Sequence, residues 1–368
     1  MIYSSLLMKK AISTLLRPRR RPCKPGPRRA YSSFSESLHQ KLTSRKLPLS
    51  FDYLSPQPSH LLNLTLTDLL PNSTFSSRTQ NDLPCISRPA HLPPGHHIVY
   101  FPPQVTPSQL LPDGTDALHT PGPPFNRRLW AGGSVKFSAT RNLLLDGSRA
   151  VCIEEIRDVI VKGQPGEEKI IVKIQRQIDT VQEEESVDDV RRRIWCDIED
   201  EGAHACIIEN RDLVFMREKT ANQLEQDKAR FSHAPRSVKS PTNPKFRYQI
   251  KLSKALLFRF SALTFNAHLI HLDKDYTRNA EGYRNLLVHG PLTLTLLLTA
   301  LRHHLEGKGL SIRDIEYKNL APVHVEEELT ICGKLKLNDH SAWDVWIEGR
   351  GGGLAVRGTV HLGHVQNG

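Results

Sequence analysis

Residues 291–304, which read Pro-Leu-Thr-Leu-Thr-Leu-Leu-Leu-Thr-Ala-Leu-Arg-His-His, constrain this chain more than any other stretch. A proline at the first position and a basic end predict a helix over Pro291–His304. Leu292, Leu294, Leu296, Leu297, Leu298, Ala300 and Leu301 leave it no wide polar face, so it must be buried on most sides. The uncharged apolar run around it, Gly290 to Leu301, is the longest in the chain and is too short to cross a bilayer. The neighbouring sequence must therefore cover this helix. A long curved antiparallel sheet wrapped around it meets that demand.

The strands for such a sheet are legible by period two. After residue 304, Val323 and Val325, then Leu329, Ile331, Leu335 and Leu337, then Trp343, Val345 and Ile347, and finally Leu354, Val356, Val360 and Leu362 alternate with polar neighbours. Gly349-Arg-Gly-Gly-Gly353 reads as the hairpin turn between two of them. No helix and no Lys-Ser/Thr follows it, as a phosphate loop would require. A second set precedes: Arg128–Phe137, Arg149–Val161, Lys169–Ile178 and Cys206–Phe215, with His60–Leu70 as a candidate helix stopped by Pro71. Gly132-Gly133 marks a bulge or a close backbone approach. His96–Phe101 and Ala255–Phe260 read as further short strands, residues 102–126 as a proline-rich surface excursion, and residues 183–201 as a solvated charged insertion. Each half thus has an early helix and a run of strands. The expected fold is α+β, two hot-dog domains in one chain, each a curved antiparallel sheet around one helix. The expected boundaries are 33–218 for the first domain, 219–246 for a polar linker and 247–368 for the second.

The net charge of +11 suggests nucleic-acid binding until it is located. Nine of the 50 Lys and Arg residues lie within residues 1–35, which contain no Asp or Glu; the 41 remaining stand against 39 acids. The folded body is near neutral, which argues against a nucleic-acid surface. The leader is Arg-rich, Ser-containing and acid-free, with Ile2, Leu6, Leu7, Ile12, Leu15 and Leu16 in its first part. It reads as a mitochondrial transit peptide over residues 1–32, cut near Tyr31 or Ser32. The six cysteines form no CxxC pair, so neither a disulfide framework nor a zinc pattern is present, and a reducing compartment fits.

Just before the buried helix the chain crowds polar groups. Asn266, His268, His271 and Asp273 fall within eight positions, and Gly290 opens the helix. Phe260-Ser-Ala-Leu-Thr-Phe-Asn-Ala-His-Leu-Ile-His-Leu-Asp273, with Tyr276, Glu281-Gly-Tyr283 and Val288-His-Gly-Pro-Leu292, resembles the MaoC-like hydratase/dehydratase family. The likeness is to its double hot-dog branch, which includes mesaconyl-CoA hydratases and fungal mitochondrial 3-hydroxyacyl-thioester dehydratases type 2. Leu92–Phe101, Arg128–Gly133 and Leu213–Arg217 look like the same branch, so the resemblance spans roughly residues 60–364, apart from the insertion at 183–205.

The resemblance implies reversible addition of water to a 2-enoyl thioester. Such chemistry needs a base for water, a proton for the α-carbon and a donor for the thioester oxygen. It places the family's catalytic His at His271 and its helix-start amide at Gly290. The family's Asp falls on Asn266, and its usual Asn on His268. An Asn cannot serve as a base. Either His271 acts alone with Asn266 orienting water or thioester, or His268 or Asp273 takes the vacant role. His289 is a candidate helix cap, Glu281 and Tyr283 shape the site, and His303 and His304 complement the helix C-terminus. The cluster's spacings match no common metal-ligand pattern, and the chemistry calls for no cofactor and no metal. The N-terminal half has no equivalent cluster, so one site per chain is expected, with that half lending a wall of the acyl tunnel. Trp130 is a candidate for the shared surface.

The reading that follows is a mitochondrial-matrix, R-specific 3-hydroxyacyl-thioester dehydratase of type II fatty-acid synthesis. Its expected partners are an acyl thioester of acyl carrier protein or CoA and a second copy of the chain in a homodimer, with neither nucleic acid nor membrane insertion. Arg127, Arg128, Arg278, Arg284 and Lys318 are candidates for a basic mouth facing an acidic carrier. Two rivals stand beside this reading: a mesaconyl- or itaconyl-CoA hydratase, which needs a cation deep in the pocket, and a non-catalytic acyl-binding hot-dog protein.

Overall fold

A computed structural model describes residues 27–70, 84–197, 205–231, 238–337 and 339–364. Most of the expected transit peptide, residues 1–26, lies outside the described residues.

Ten strands form one antiparallel sheet. They are β1 (Ser50–Tyr53), β2 (Arg127–Phe137), β3 (Arg149–Lys162), β4 (Lys169–Thr180), β5 (Ile207–Met216), β6 (Phe246–Lys251), β7 (Leu310–Asn319), β8 (Glu328–Lys336), β9 (Asp339–Glu348) and β10 (Leu354–His364). The spatial order is β1-β3-β4-β5-β2-β7-β10-β9-β8-β6. Within each half the order is first, third, fourth, fifth, second, so the two halves repeat one topology. They meet where β2 and β7 pair, Gly132 opposite Lys318 through Lys136 opposite Asp314.

Gly132 and Gly133 make that junction. A Cβ on Gly132 would lie 2.3 Å from the Tyr317 carbonyl oxygen, and one on Gly133 would lie 1.9 Å from that of Asn210. Both have positive φ, and the β2–β5 ladder bulges between Trp130 and Gly132. Bulge and close approach are both present.

The buried helix runs Gly290–His304, and Leu292, Leu294, Leu297, Leu298, Ala300 and Leu301 are wholly buried. Its core is continuous across both halves, from Leu62 and Val99 to Ile331 and Val345. On β4, Ile170, Val172, Ile174 and Ile178 share a face by strand parity. An N-terminal helix, α1 (Pro27–Thr43), covers the far end of that face with Leu38 and Leu42, beside Phe125. This helix also crosses the expected cleavage position at Tyr31 and Ser32.

Several elements differ from the sequence-based expectation. The early helix, α2, is Pro56–Leu66, beginning at a proline in the favoured first turn and ending in a 3₁₀ turn at Thr67–Leu69. His96–Val99 is a buried 3₁₀ turn, not a strand. Gly95 at φ +91° turns the chain, and the His96 N–H donates to the Pro93 carbonyl (2.9 Å). The charged insertion carries α3 (Val187–Ile194), whose Val190 and Ile194 are buried against Val151, Ile153 and Ile208 on the outer face of the sheet. The polar linker carries α4 (Ala221–Ala229), opened by a capping box between Thr220 and Gln223. Ala255–Phe260 lies in a helix, α5 (Lys254–Leu263), capped by Ser253 and burying Leu256, Leu257, Phe260 and Ser261 at helical spacing. The strand that begins the second half is β6, just before it.

Candidate active site

The polar cluster is built by a chain reversal after α5. Phe265 adopts φ +51°, and the Asn266 N–H returns to the Ser261 carbonyl (2.8 Å). The Asn266 Oδ1 then accepts the His268 N–H (3.0 Å), which starts a single helical turn, α6 (Leu269–Leu272). Asn266 keeps its amide donor, and its oxygen keeps a second lone pair, but neither serves as a base. His271 closes the turn, and its Nδ1 donates to the Leu287 carbonyl at 2.8 Å. That bond places the ring proton on Nδ1 and leaves the lone pair on Nε2. The segment carrying Leu287 is itself fixed, the Leu287 N–H donating to the Ile270 carbonyl and the Val288 N–H to that of Val323.

The helix Gly290–His304, numbered α8 after α7 (Lys274–Asn279), begins against this cluster. His289 occupies its N-cap position without a side-chain cap. Its ring instead stacks on His271 at 3.7 Å between centroids and tilts against Phe260, while its Nε2 lies 2.8 Å from the Ser261 hydroxyl. His268 meets His271 edge-on at 5.5 Å. Burial pushes the His271 pKa down to about 4, against a partial opposing effect of its Leu287 bond, with Arg128 adding to the fall. Burial also holds His268 and His289 well below the usual histidine range. All three rings are neutral near pH 7. Gly290, as the first helical residue, has an N–H with no intrahelical acceptor, at the positive end of the helix dipole.

These groups open onto a cavity of about 920 Å³ lined by both halves. Asn266, His268, His271, Tyr283 and Gly290 line it from one side, with Phe258, Phe265 and Leu320 toward solvent. Asp273 is not among the lining residues. It is exposed, and its carboxylate accepts the N–H groups of Asp275 and Tyr276 at the start of α7. Its role is that of a helix cap. The basic mouth is likewise not built as expected. Arg127 is buried on Glu281 (2.8 Å), Arg128 pairs with Asp116 (3.1 Å), Arg284 with Glu327 (2.6 Å) and Lys318 with Glu316 (3.7 Å). Each of these cations already has a carboxylate, which leaves only Arg278 of that set.

The N-terminal half contributes more than an apolar wall. Asp116, His119, Arg128, Glu154, Arg176 and Arg211 all line the cavity. His119 Nε2 lies 2.6 Å from Glu154, Arg176 bridges Glu154 and Glu209, and Arg211 reaches Glu209 while lying over the Trp130 ring. Although burial opposes it, Glu154 is held ionised, its pKa drawn down to about 2 by His119 and Arg176. Charged residues at inward strand positions such as Arg176 and Glu209 were the available signal, because they break an otherwise apolar parity. The excursion at 102–126 is also folded under the site: the Leu269 N–H donates to the Asp113 carbonyl (2.8 Å), and a Cβ on Gly114 would lie 2.0 Å from the Ala267 oxygen.

Comparison with known proteins accords with this arrangement. The family model for hydroxyacyl-thioester dehydratase type 2 matches residues 95–325, which include the cluster, the helix start and the polar wall. The chain belongs to that family. Among hydroxyacyl-thioester dehydratase type 2 relatives, the mitochondrial protein of that name from Schizosaccharomyces pombe is 28% identical over 292 residues, covering 76% of this chain and 88% of the relative. The mesaconyl-C(4)-CoA hydratase of Chloroflexus aurantiacus is 31% identical over 275 residues, covering 74% and 84%. A MaoC-like dehydratase from Phytophthora capsici superposes with a TM-score of 0.57 at 14% identity, over 88% of this chain and 98% of that one. That likeness shows the shared double hot-dog fold.

Proposed function

We propose that the protein is a mitochondrial, R-specific 3-hydroxyacyl-thioester dehydratase, interconverting 3-hydroxyacyl and trans-2-enoyl thioesters in type II fatty-acid synthesis. The observation that carries this reading is His271. Its Nδ1 is tied to the Leu287 carbonyl and its neutral Nε2 is left as a base, in a cavity that the first residue of α8 also lines. In the hydration direction, water gives a proton to His271 Nε2 as its oxygen bonds to the β-carbon. The electron pair of the α,β double bond moves toward the thioester oxygen, where the Gly290 N–H and the helix dipole receive the charge. The imidazolium then returns its proton to the α-carbon. Dehydration is the reverse. The Asn266 amide donates to the water or to the thioester and does not act as a base.

Mitochondrial placement is supported by the S. pombe relative, which is named as a mitochondrial protein, and by the basic, acid-free leader. The carrier in the cell is proposed to be acyl carrier protein, with CoA thioesters as surrogates, and the assembly a homodimer. The test is loss of enoyl absorbance when the protein meets crotonyl-CoA, with chiral analysis of the product. His271→Ala is expected to lose about 10²–10⁴-fold in kcat. Turnover close to wild type in that variant would remove His271 from the mechanism, and no turnover by the wild type at high enzyme concentration would favour an acyl-binding role.

A second reading, hydration of a branched dicarboxylyl-CoA, is favoured by three arginines in the cavity wall, Arg128, Arg176 and Arg211. It ranks second because Asp116, Glu154 and Glu209 already balance them. Relative rates on mesaconyl-CoA and straight-chain enoyl thioesters separate the two.

A further inference from the structure

The family's carboxylate is missing at Asn266, yet a buried carboxylate reaches this cluster from the other half of the molecule. Asp113 Oδ2 lies 3.5 Å from His268 Nε2, and both side chains are more than nine-tenths buried. At that separation they make no hydrogen bond to each other, and neither has a hydrogen-bond partner elsewhere among the described residues, so each is an unsatisfied polar atom beside the other. The rest of Asp113 is fixed: its Oδ1 accepts the Thr115 N–H (3.0 Å) and hydroxyl (2.7 Å), and its carbonyl accepts the Leu269 N–H. Gly114, at φ +81°, lets this loop press on Ala267. The carboxylate is therefore held against one nitrogen of His268 by the backbone that also carries His268.

A neutral histidine has one ring N–H, and its position is set by what the ring nitrogens face. A lone pair on Nε2 pointing at a carboxylate oxygen in a dry site would set two acceptors against each other. The proton must sit on Nε2, which leaves the lone pair on Nδ1. His271 has the opposite arrangement, its N–H on Nδ1 toward Leu287 and its lone pair on Nε2.

We infer that Asp113 is a positioning residue for the C-terminal site: it locks His268 as the Nε2–H tautomer, so that His268 Nδ1 and His271 Nε2 are the two acceptors that hold the reacting water. Water has two protons. His271 removes one during addition, and His268 Nδ1 accepts the other as a hydrogen bond, filling the place of the carboxylate absent at Asn266. The Asp113 charge, one ring away, also offsets the imidazolium that forms on His271. The N-terminal half thereby completes the site chemically and does not merely wall it. The inference rests on the dehydratase reading for the identity of the water, but the tautomer assignment stands on geometry alone.

Asp113→Asn tests it. The new amide oxygen keeps the two Thr115 bonds, so its NH₂ faces His268 Nε2 and must be met by a lone pair. The substitution thus moves the His268 proton to Nδ1 with no change of size. A triad histidine forced into the wrong tautomer loses about 10⁴-fold in kcat; a loss of about 10²–10⁴ with little change in KM is expected here. ¹⁵N-histidine NMR, with the His268 signals assigned by their loss in His268→Gln, reads the tautomer directly. Nε2–H in the wild type and Nδ1–H in Asp113→Asn are expected. Nδ1–H in the wild type overturns the inference whether or not the variant folds, and so does an unchanged tautomer or an unchanged kcat in a folded Asp113→Asn. A wild type that shows the tautomer switch but hydrates no enoyl thioester sinks the dehydratase reading and leaves the positioning role of Asp113 standing.

Discussion

A Cβ placed on Gly290 would lie 2.6 Å from the Cβ of Trp130, so the start of α8 and strand β2 touch where only hydrogen fits. Trp130 cannot yield. Its indole N–H donates to the Tyr317 hydroxyl (2.7 Å), its carbonyl accepts from Asn319 (3.0 Å), and Arg211 lies over its ring. Gly290→Ala must displace the helix start by a few tenths of an ångström or more, at a cost of about 1–3 kcal/mol for overpacking. The same shift moves the proposed oxyanion donor, so kcat falls with it. Thermal unfolding and kinetics of Gly290→Ala, Trp130→Gly, which removes the Cβ, and the double variant check this. The double variant should recover part of the stability that the two single losses predict, because the clash is shared.

The buried histidines fix the direction of the pH dependence. His271 has a folded pKa of about 4 against its ordinary 6.5. Between those values the unfolded chain binds the proton and the folded chain does not, so stability rises with pH there. The contribution is complete above about 6.5 and is lost as pH falls toward 4, with a slope of up to ~1.4 kcal/mol per pH unit for each such group. His268 and His289, also depressed by burial, add with the same sign. Denaturant midpoints from pH 4 to 7 should show a shallower slope for His271→Gln than for the wild type. As a base, His271 stays neutral above about pH 4, so kcat/KM should have no acid limb due to this group between pH 5 and 7.

What was legible in the sequence followed from periodicity, and what was not legible involved contacts between distant segments. Helix α8 and seven strands, β2 to β5 and β8 to β10, are legible because burial on one face leaves a period in the residues; Val323 and Val325 alternate in a loop and are not a strand, and β1, β6 and β7 lie outside that reading. Helix α5 read as a strand because six residues, five of them apolar, have no unambiguous period, although the Ser253 cap and the spacing of Leu256, Leu257 and Phe260 carry the helical signal. His96–Val99 read as a strand for the same reason, and there Gly95 was the discriminating residue. His271 and Gly290 were identifiable because a local motif carries them. Asp113 was not, since nothing local distinguishes it from any Asp-Gly turn; its meaning comes from a partner on the far side of the domain junction. Arg127 and Arg128 looked like surface cations for want of their partners Glu281 and Asp116.

The Arg127–Glu281 pair ties β2 to the loop after α7 across the two halves. Its Nε–Oε2 distance is 2.8 Å, and both side chains are buried. The Lys219 ammonium also donates to the Glu281 carbonyl (2.7 Å), which keeps Glu281 in place if its partner is removed. Arg127→Met should therefore strand a buried carboxylate and cost about 3–5 kcal/mol, whereas Arg127→Met with Glu281→Leu should cost much less than the two single changes together. Chemical denaturation of the three variants measures the coupling. Additive losses would mean that the pair contributes packing and no specific ionic link between the halves.

Asp273 tests the division between catalytic and structural roles within the polar cluster. Its carboxylate accepts the N–H groups of Asp275 (2.8 Å) and Tyr276 (2.9 Å), it is exposed to solvent, and it does not line the cavity. Removing an N-cap of this kind costs about 0.5–2 kcal/mol. Asp273→Ala should lower the unfolding free energy by that amount and leave kcat on crotonyl-CoA within about twofold of wild type. Asp273→Ser should restore most of the lost stability, because a serine hydroxyl also caps. A kcat loss of a hundredfold or more in Asp273→Ser, with the thermal midpoint near wild type, would return Asp273 to the chemistry. The base would then have to be sought on the α7 side of the cluster and not between His271 and His268.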